Sequence, residues 1–335
     1  MFSSLRHGLV LMPCFFATTF PVLAAPGTMQ AVEIREGGKL SVGTRAVPAP
    51  GRGEVLVRVR AAGVNPVDWK IAARRTGLVA GTDVSGTIDA LGEGVTGWNV
   101  GEAVLGFARQ SGSYAQYAVV DVNSLAKKPT SLTFEQAAGI PIAFETAYRS
   151  LHETANIARG RTVLIHGAAG GVGSAAVQIA KAAGARVIGT ASAGHHEFLR
   201  SIGADQVIDY RSQKFEEMVK EADIVLNTVN ADLNARSIAV VRPGGVLVSI
   251  VGSPDAAACR KAGIRCRSPD RGSGASNAEL LSKVGGLIDE GKVTVFVDEI
   301  FPMADAEKAW ARSRAGHTRG KLVIRVSEGP TMKHQ

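Results

Sequence analysis

The stretch "IHGAAGGVGS", residues 165–174, decides how the chain is read. It continues an apolar run, "TVLIHG", and opens a run of small and apolar residues, "GSAAVQIAKAAG". A strand before and a helix after is the context that a dinucleotide-binding glycine fingerprint requires. Gly170 and Gly173 occupy its G-x-x-G part, with Ala168 where a first glycine often stands. At Gly170 backbone amides can approach a pyrophosphate. At Gly173 the helix can pack closely on the strand, and its N-terminus turns partial positive charge toward phosphate. Taken alone, the same turn is also compatible with a tight strand-to-helix connection that holds no ligand.

The rhythm around it supports the first reading. "RVIGTA", "QVIDY", "DIVLNTV" and "GVLVSIVG" are strand-like runs separated by Ala-rich or amphipathic segments such as "KFEEMVKEA" (214–222). Strand and helix in alternation predict a doubly wound parallel sheet, an α/β fold. From Met29 to about Val122 the texture is different. "GEVLVRVRAAGV" (53–64) sets Val55, Val57 and Val59 against Leu56, Arg58 and Arg60, the period of a half-buried strand. "VSGTIDALG", "EAVLGFA" and "GSYAQYAVV" follow as short strands with glycines between them, which predicts a small barrel-like β domain. Thr133 with Gln136 forms a capping box. A helix over about Ile142–Glu153 then links the two regions. "NAELLSKVGGLIDEGK" (277–292) is a further helix, and "VFVDEIFP" and "GKLVIRV" are tail strands expected to return to the β domain.

The end of the second strand bears on which dinucleotide is held. An NAD site usually places Asp or Glu there for the adenosine ribose. Here the strand ends in Thr190, Ala191 and Ser192, with no acid before Glu197. No carboxylate repels a 2'-phosphate. Ser192 can donate to one, and Tyr210 and Arg211 can close over it. Two charge-assisted hydrogen bonds at roughly 1.5–3 kcal/mol each would favour NADP over NAD about a hundredfold or more. Ser192 as a helix N-cap and Tyr210 as a packing residue are the alternatives.

Composition is that of an ordinary globular protein, 45% hydrophobic and 20% charged, with a formal net charge of +8. The basic residues form no block; "AARRT" (72–76) and "CRKAGIRCR" (259–267) are the densest spots. This biases the surface toward anionic small molecules. Nothing resembles a nucleic-acid reader helix or a base-stacking platform, so no nucleic-acid partner is expected. Residues 1–28 stand apart. "MFSSLRHG", an apolar "LVLMPCFFATTFPVL" and a small-residue "AAP" have the shape of a secretory signal, while "MQAVEI" from Met29 also reads as a natural start. Export or a cytoplasmic location follows from the choice between them. The segment is too short and too broken by Pro13 and Pro21 for a stable membrane span. Without it two cysteines remain, Cys259 and Cys266, either bridged in an oxidising compartment or free in a reducing one.

Several stretches together resemble the medium-chain dehydrogenase/reductase superfamily: "GVNPVDWK" (63–70), "GTDVSGTIDALGEGV" (81–95), "AAGIPIAFETAY" (137–148), "HGAAGGVGSAAVQIAKAAGA" (166–185), "FLRSIGADQVIDYR" (198–211) and "GHTRGKLVIRV" (316–326). More narrowly, the chain is similar to the zinc-free, NADPH-dependent quinone oxidoreductase and enone reductase branch. The resemblance implies a GroES-like catalytic domain over 29–148, completed by 296–326, and a Rossmann domain over 149–295. Residues 327–335 would form a loose tail. It implies NADP(H) as cofactor and a homodimer paired through the cofactor domains. It places Asn65 beside the nicotinamide and substrate, Thr146 at the carboxamide, and Gly170, Gly171, Val172 and Gly173 at the pyrophosphate. Ser192, Tyr210 and Arg319 would face the adenosine phosphate, and Asn227 and Val251 would line the cleft.

The sequence departs from the family pattern in two places. Gly194 stands where a basic residue usually follows the serine, with His195 next to it as a substitute, and "RRTGLVAGTD" (74–83) is a short loop over the site. Zinc-dependent relatives carry Cys near the position of Asn65 and a His-Glu pair near Thr82-Asp83, and those ligands are missing here. A catalytic zinc needs three protein ligands. The expected chemistry is therefore hydride transfer from NADPH to a small quinone or α,β-unsaturated carbonyl, with solvent supplying the proton. A pathway-specific enoyl reductase and an NADPH-binding protein with little turnover are the alternatives.

Overall fold

The computed structural model describes residues 27–109, 112–269 and 274–326. The signal-like stretch up to residue 26 and the tail 327–335 lie outside the described residues. The N-terminal part is β-rich. It comprises β1 (Thr28–Ile34), β2 (Leu40–Ala46), β3 (Glu54–Val64), β4 (Asp83–Leu91), β5 (Ala103–Ala108) and β6 (Tyr117–Lys127). The second part holds β7 (Thr162–His166), β8 (Arg186–Ala191), β9 (Gln206–Asp209), β10 (Ala222–Asn227), β11 (Val241–Ser249) and β12 (Arg265–Arg267). After these come β13 (Val297–Pro302) and β14 (Lys321–Arg325).

Strands β7 to β12 form one parallel sheet in the order β12-β11-β10-β7-β8-β9. This is the doubly wound arrangement, with its switch point between β7 and β10. Both faces are covered. Val163, Ile165, Val187, Leu226 and Val248 point into one apolar cluster, and Leu164, Ile188, Val225 and Leu247 into another. That is why these strands read as continuous apolar runs rather than alternating ones.

The β domain alternates instead. Val55, Val57 and Val59 face the barrel core, while Arg58 points outward and pairs with Asp89 at 2.7 Å. Leu56, on the outward face, is buried as well, in a cluster with Met29, Ala31 and Tyr117. The sheet order β13-β14-β3-β4-β5-β6, with β3 also paired to β6, brings the two tail strands back to this domain. Helix Ala306–Ala315 plugs the barrel with Trp310, 1% exposed, whose indole N–H donates to Tyr114 Oη at 3.3 Å. Burial of one such side chain contributes roughly 1.5–3 kcal/mol.

Local differences from the sequence reading have physical causes. The segment 214–222 is helical only over Phe215–Met218. Val219 turns extended and is buried with Phe215 and Ala222 beneath β10, which a continued surface helix would not allow. The linking helix runs Pro141–Tyr148 and then widens to a π-turn at Arg149–Thr154, with Ala155 N–H donating to Ser150 O at 3.0 Å. Arg149 is buried there between Glu145 and Glu153 and also donates to Ala275 O. The capping box at Thr133 and Gln136 forms as read.

The basic stretch 259–267 is partly structural. Cys259, on helix Ala256–Lys261, forms a disulfide with Cys266 in the edge strand β12 across seven positions of chain. Closing so short a loop stabilises by about 2–3 kcal/mol in the chain-entropy picture. Reduction, or Cys259→Ser, is therefore expected to lower the urea unfolding midpoint by a corresponding amount. An unchanged midpoint would mean the bridge adds nothing in solution.

Candidate active site

The carboxyl ends of β7 and β10 diverge at the switch point, and the crevice outside them is where an open α/β sheet takes its ligand. Gly167 ends β7 at φ +68°, a conformation that favours glycine, and a Cβ there would lie 2.7 Å from Thr228 Oγ1. Gly170 is the N-cap of helix Gly171–Ala182 and makes no side-chain cap bond. The first-turn amides of Gly171, Val172 and Gly173 have no intrahelical acceptor and point to the crevice, the usual seat of a pyrophosphate. Gly173 serves packing. A Cβ there would fall against the Gly167 carbonyl oxygen and within 2.7 Å of Ala168 Cα. The segment before β14 closes the turn from the other side: Gly320 N–H donates to Ala169 O at 2.9 Å, and Gly320 bridges Gly170.

Ser192 follows the end of β8 as the N-cap of a short 3-10 turn, half-buried and without a side-chain cap bond. Tyr210 is 50% exposed, with the Arg211 guanidinium 5.8 Å from its ring centroid. Arg319 is exposed, over the Phe198 ring. His195 gathers these charges. Burial lowers its pKa, Asp298 opposes that, and Arg319, His317 and Arg211 lower it further. Asp209, at the end of β9, accepts from Arg211 N–H at 3.0 Å and from the Ser212 hydroxyl at 3.2 Å. Arg211 and Arg319 thus place two cations near His195, with Asp298 opposing them.

At the other end, Thr146, 4% exposed, faces Ser249, Ile250, Gly252, Ser253, Ser268 and Pro269 across a cavity of about 310 Å³. Val251 lies between these wall residues, with its N–H 3.4 Å from Ser249 Oγ. Asn227 does not offer its side chain to the cleft. It is fully buried; its Nδ2 donates to Asn230 O and Asn234 Oδ1, and its Oδ1 accepts from Val229 N–H. It shapes the loop after β10 instead.

Asn65 sits at the end of β3, 2% exposed, inside a buried polar cluster. Its Nδ2 donates to Asp83 Oδ2 at 2.8 Å, its Oδ1 accepts from Lys321 Nζ, and its backbone N–H donates to Asp68 Oδ2 at 2.8 Å. Asp83 Oδ1 accepts from Ile142 N–H at 3.1 Å, one turn before Thr146 on the same helix. Asp68 also accepts from Tyr114 Oη and Thr82 Oγ1. Burial pushes Asp83 up to about 7 and Asp68 up to about 6, against the pull of Lys321 and the hydrogen bonds. Burial lowers the Lys321 pKa, and the two carboxylates oppose it.

Among these residues Gly167, Asp68, Asp83, Tyr114 and Lys321 were not singled out as site residues from the sequence. Gly167 had a local signal, a glycine closing an apolar strand. Asp68, Asp83 and Lys321 lie in stretches that carry the family resemblance, but no local pattern separates them from surface charge, and Tyr114 has no local signal.

Residues 51–130 match the alcohol dehydrogenase GroES-like domain, and residues 202–324 the family described as zinc-binding dehydrogenase. The chain is 33% identical over 334 residues to a 2-methylene-furan-3-one reductase of Solanum lycopersicum, covering 92% of this chain and 82% of that one. It is 33% identical over 300 residues to a chloroplastic NADPH-dependent alkenal/one oxidoreductase of Arabidopsis thaliana, covering 83% and 73%. The quinone oxidoreductase of Coxiella burnetii superposes with a TM-score of 0.82 at 30% identity, over 90% of this chain and 100% of that one. With these likenesses running through both the barrel and the parallel sheet, the chain belongs to the medium-chain dehydrogenase/reductase superfamily, in its quinone oxidoreductase branch.

Proposed function

We propose that the protein transfers hydride from NADPH to a small quinone or α,β-unsaturated carbonyl without a catalytic metal. The observation that carries this reading is the Asn65 amide, held at both ends by buried charges where a zinc-dependent relative needs a ligand. Asn65 and Asp83 are tied to each other and to Lys321, and Thr82 to Asp68, so the three positions present an amide, a hydroxyl and one engaged carboxylate rather than the Cys and His of a zinc set. Without a Lewis acid, an isolated carbonyl is poorly polarised, whereas a conjugated acceptor spreads the incoming charge. A few fixed donors suffice for it.

The dinucleotide, when bound, supplies the hydride. The chain's residues orient the partners. The glycine turn holds the pyrophosphate, Thr146 positions the carboxamide, and Ser192, Tyr210 and Arg319 take the adenosine phosphate. One N–H of Asn65 is used on Asp83, and the second is available to the acceptor oxygen. The acceptor carbon takes its proton from solvent. The names of the relatives, an enone reductase and an alkenal/one oxidoreductase that uses NADPH, support the same class.

Two copies would pair through the open edge of β12. A two-fold centred on Cys266 sets exposed Arg265 opposite Arg267 of the other copy, so the pairing should strengthen as salt screens these charges. Sedimentation that shows only monomer at low and high salt would remove the dimer.

Initial rates of NADPH and NADH oxidation with a simple quinone and a simple enone test the main reading. Turnover with at least one acceptor and a preference for NADPH are expected. Asn65→Ala is expected to lower kcat by about tenfold to a hundredfold, below the loss seen for a full oxyanion-hole donor because the acceptor delocalises its charge. An unchanged kcat would remove Asn65 from the chemistry. Arg319→Ala is expected to raise the KM for NADPH by about tenfold or more while leaving that for NADH nearly unchanged. Equal changes for both cofactors would place Arg319 elsewhere.

A further inference from the structure

Lys321 is a lysine inside the protein, 4% exposed, and hydride transfer as described gives it no task. Its chain position links the two domains. Its backbone N–H donates to Phe296 O at 2.9 Å, directly after Gly320, which bridges the glycine turn at Gly170. Its stem passes beside Gly171: a Cβ on that glycine would lie 2.9 Å from Lys321 Cδ. Its ammonium ends in the β domain, donating to Val64 O at 3.1 Å and to Asn65 Oδ1, and 3.7 Å from Asp83 Oδ2.

The chemistry of these partners restricts Asn65. An ammonium only donates and a carboxylate only accepts. With Lys321 on one end and ionised Asp83 on the other, the amide has a single orientation, Oδ1 toward Lys321 and Nδ2 toward Asp83. The second N–H of Nδ2 is then left to the acceptor. A protonated Asp83 can donate as well as accept, so the Nδ2 end loses its fixed acceptor and the orientation rests on Lys321 alone. Resting on the reductase reading, we infer that Lys321 is a positioning residue that keeps Asp83 ionised and thereby keeps the donor end of the Asn65 amide toward the acceptor.

The charged and titratable groups facing Asp83 are known. Lys321 comes from β14, Asp68 from helix Pro66–Lys70 and Tyr114 from the loop before β6. Lys321 favours ionisation and Asp68 disfavours it. Tyr114 stays neutral, its pKa raised by burial and by Asp68. The backbone N–H of Ile142 adds a donor that also favours the carboxylate. Asp83 is pushed up to about 7, so kcat should fall as pH drops through that region and the carboxylate takes up a proton. Removing the cation raises the Asp83 pKa further, and the falling limb should move to higher pH.

The test uses the full chain with NADPH and the better of the two acceptors. Lys321→Met is expected to lower kcat at pH 7 by about tenfold or more, with KM for NADPH nearly unchanged, and to shift the limb upward. Lys321→Arg should restore much of the limb, because it returns a buried cation. Asp83→Asn should abolish the limb and leave kcat low at every pH. The side-chain NH₂ signals of Asn65 in ¹⁵N-labelled protein report the same titration without turnover. They should follow the parent's limb and move with it in Lys321→Arg and Lys321→Met. If the parent turns over and its limb and Asn65 signals are the same in Lys321→Met, the positioning role is overturned while the reductase reading stands. If the parent oxidises no cofactor, the reductase reading fails, and the role of Lys321 in holding Asn65 is decided by the NH₂ titration alone. Loss of folding in Lys321→Met leaves Lys321→Arg and Asp83→Asn to decide: an unaltered limb in Asp83→Asn overturns the inference.

Discussion

The nucleotide crevice depends on the tight approach of helix Gly171–Ala182 to the end of β7. Gly173 has no room for a side chain against the Gly167 carbonyl and Ala168, and Gly167 itself holds a left-handed backbone. Two glycines, one for conformation and one for close approach, thus set the angle at which the helix leaves the sheet. That angle directs its open amides into the crevice at the switch point. The sheet order, the position of Ser192 one strand over and the cavity beneath Thr146 all take their places relative to this turn.

A second dependence lies at the seam between the domains. β14 belongs to the sheet of the β domain, yet the residue before it bridges the glycine turn of the other domain. The same short segment carries Arg319 over the Phe198 ring near His195 and Lys321 toward Asn65. Placing one ammonium with two carboxylates out of water is costly, and only dense hydrogen bonding offsets it. Here Asn65, Val64, Ile142, Thr82 and Tyr114 provide that bonding. Such a cluster suits a site that must hold a neutral amide in one orientation rather than one built for stability alone.

The chemistry follows from what the cluster presents. Its amide member, Asn65, is a neutral donor held between Lys321 and Asp83. On the proposed reading, such a donor suits acceptors that delocalise charge, and Arg211 and Arg319 near His195 suit the phosphorylated form of the cofactor.

By itself the sequence determined what is encoded over short spans. The alternation of Val55, Val57 and Val59, the apolar runs of β7, β8, β10 and β11, the capping box at Thr133 and the glycine turn each depend on a neighbourhood of about ten residues, because strand period, caps and turns are local matters. The resemblance of whole stretches then pointed to Asn65 and Thr146 as site residues. The tertiary structure decided what depends on distant partners. It joined Asn65 to Lys321, 256 positions away in the chain, and with them Asp83 and Asp68, which in sequence look like ordinary surface acids. It turned Asn227 from the cleft into its own loop, ended the helix at Met218 so that Val219 could be buried, and made Cys259 and Cys266 a bridge to a strand too short to be read. Burial and charge pairing are properties of the packed chain, and no period or spacing along the sequence carries them.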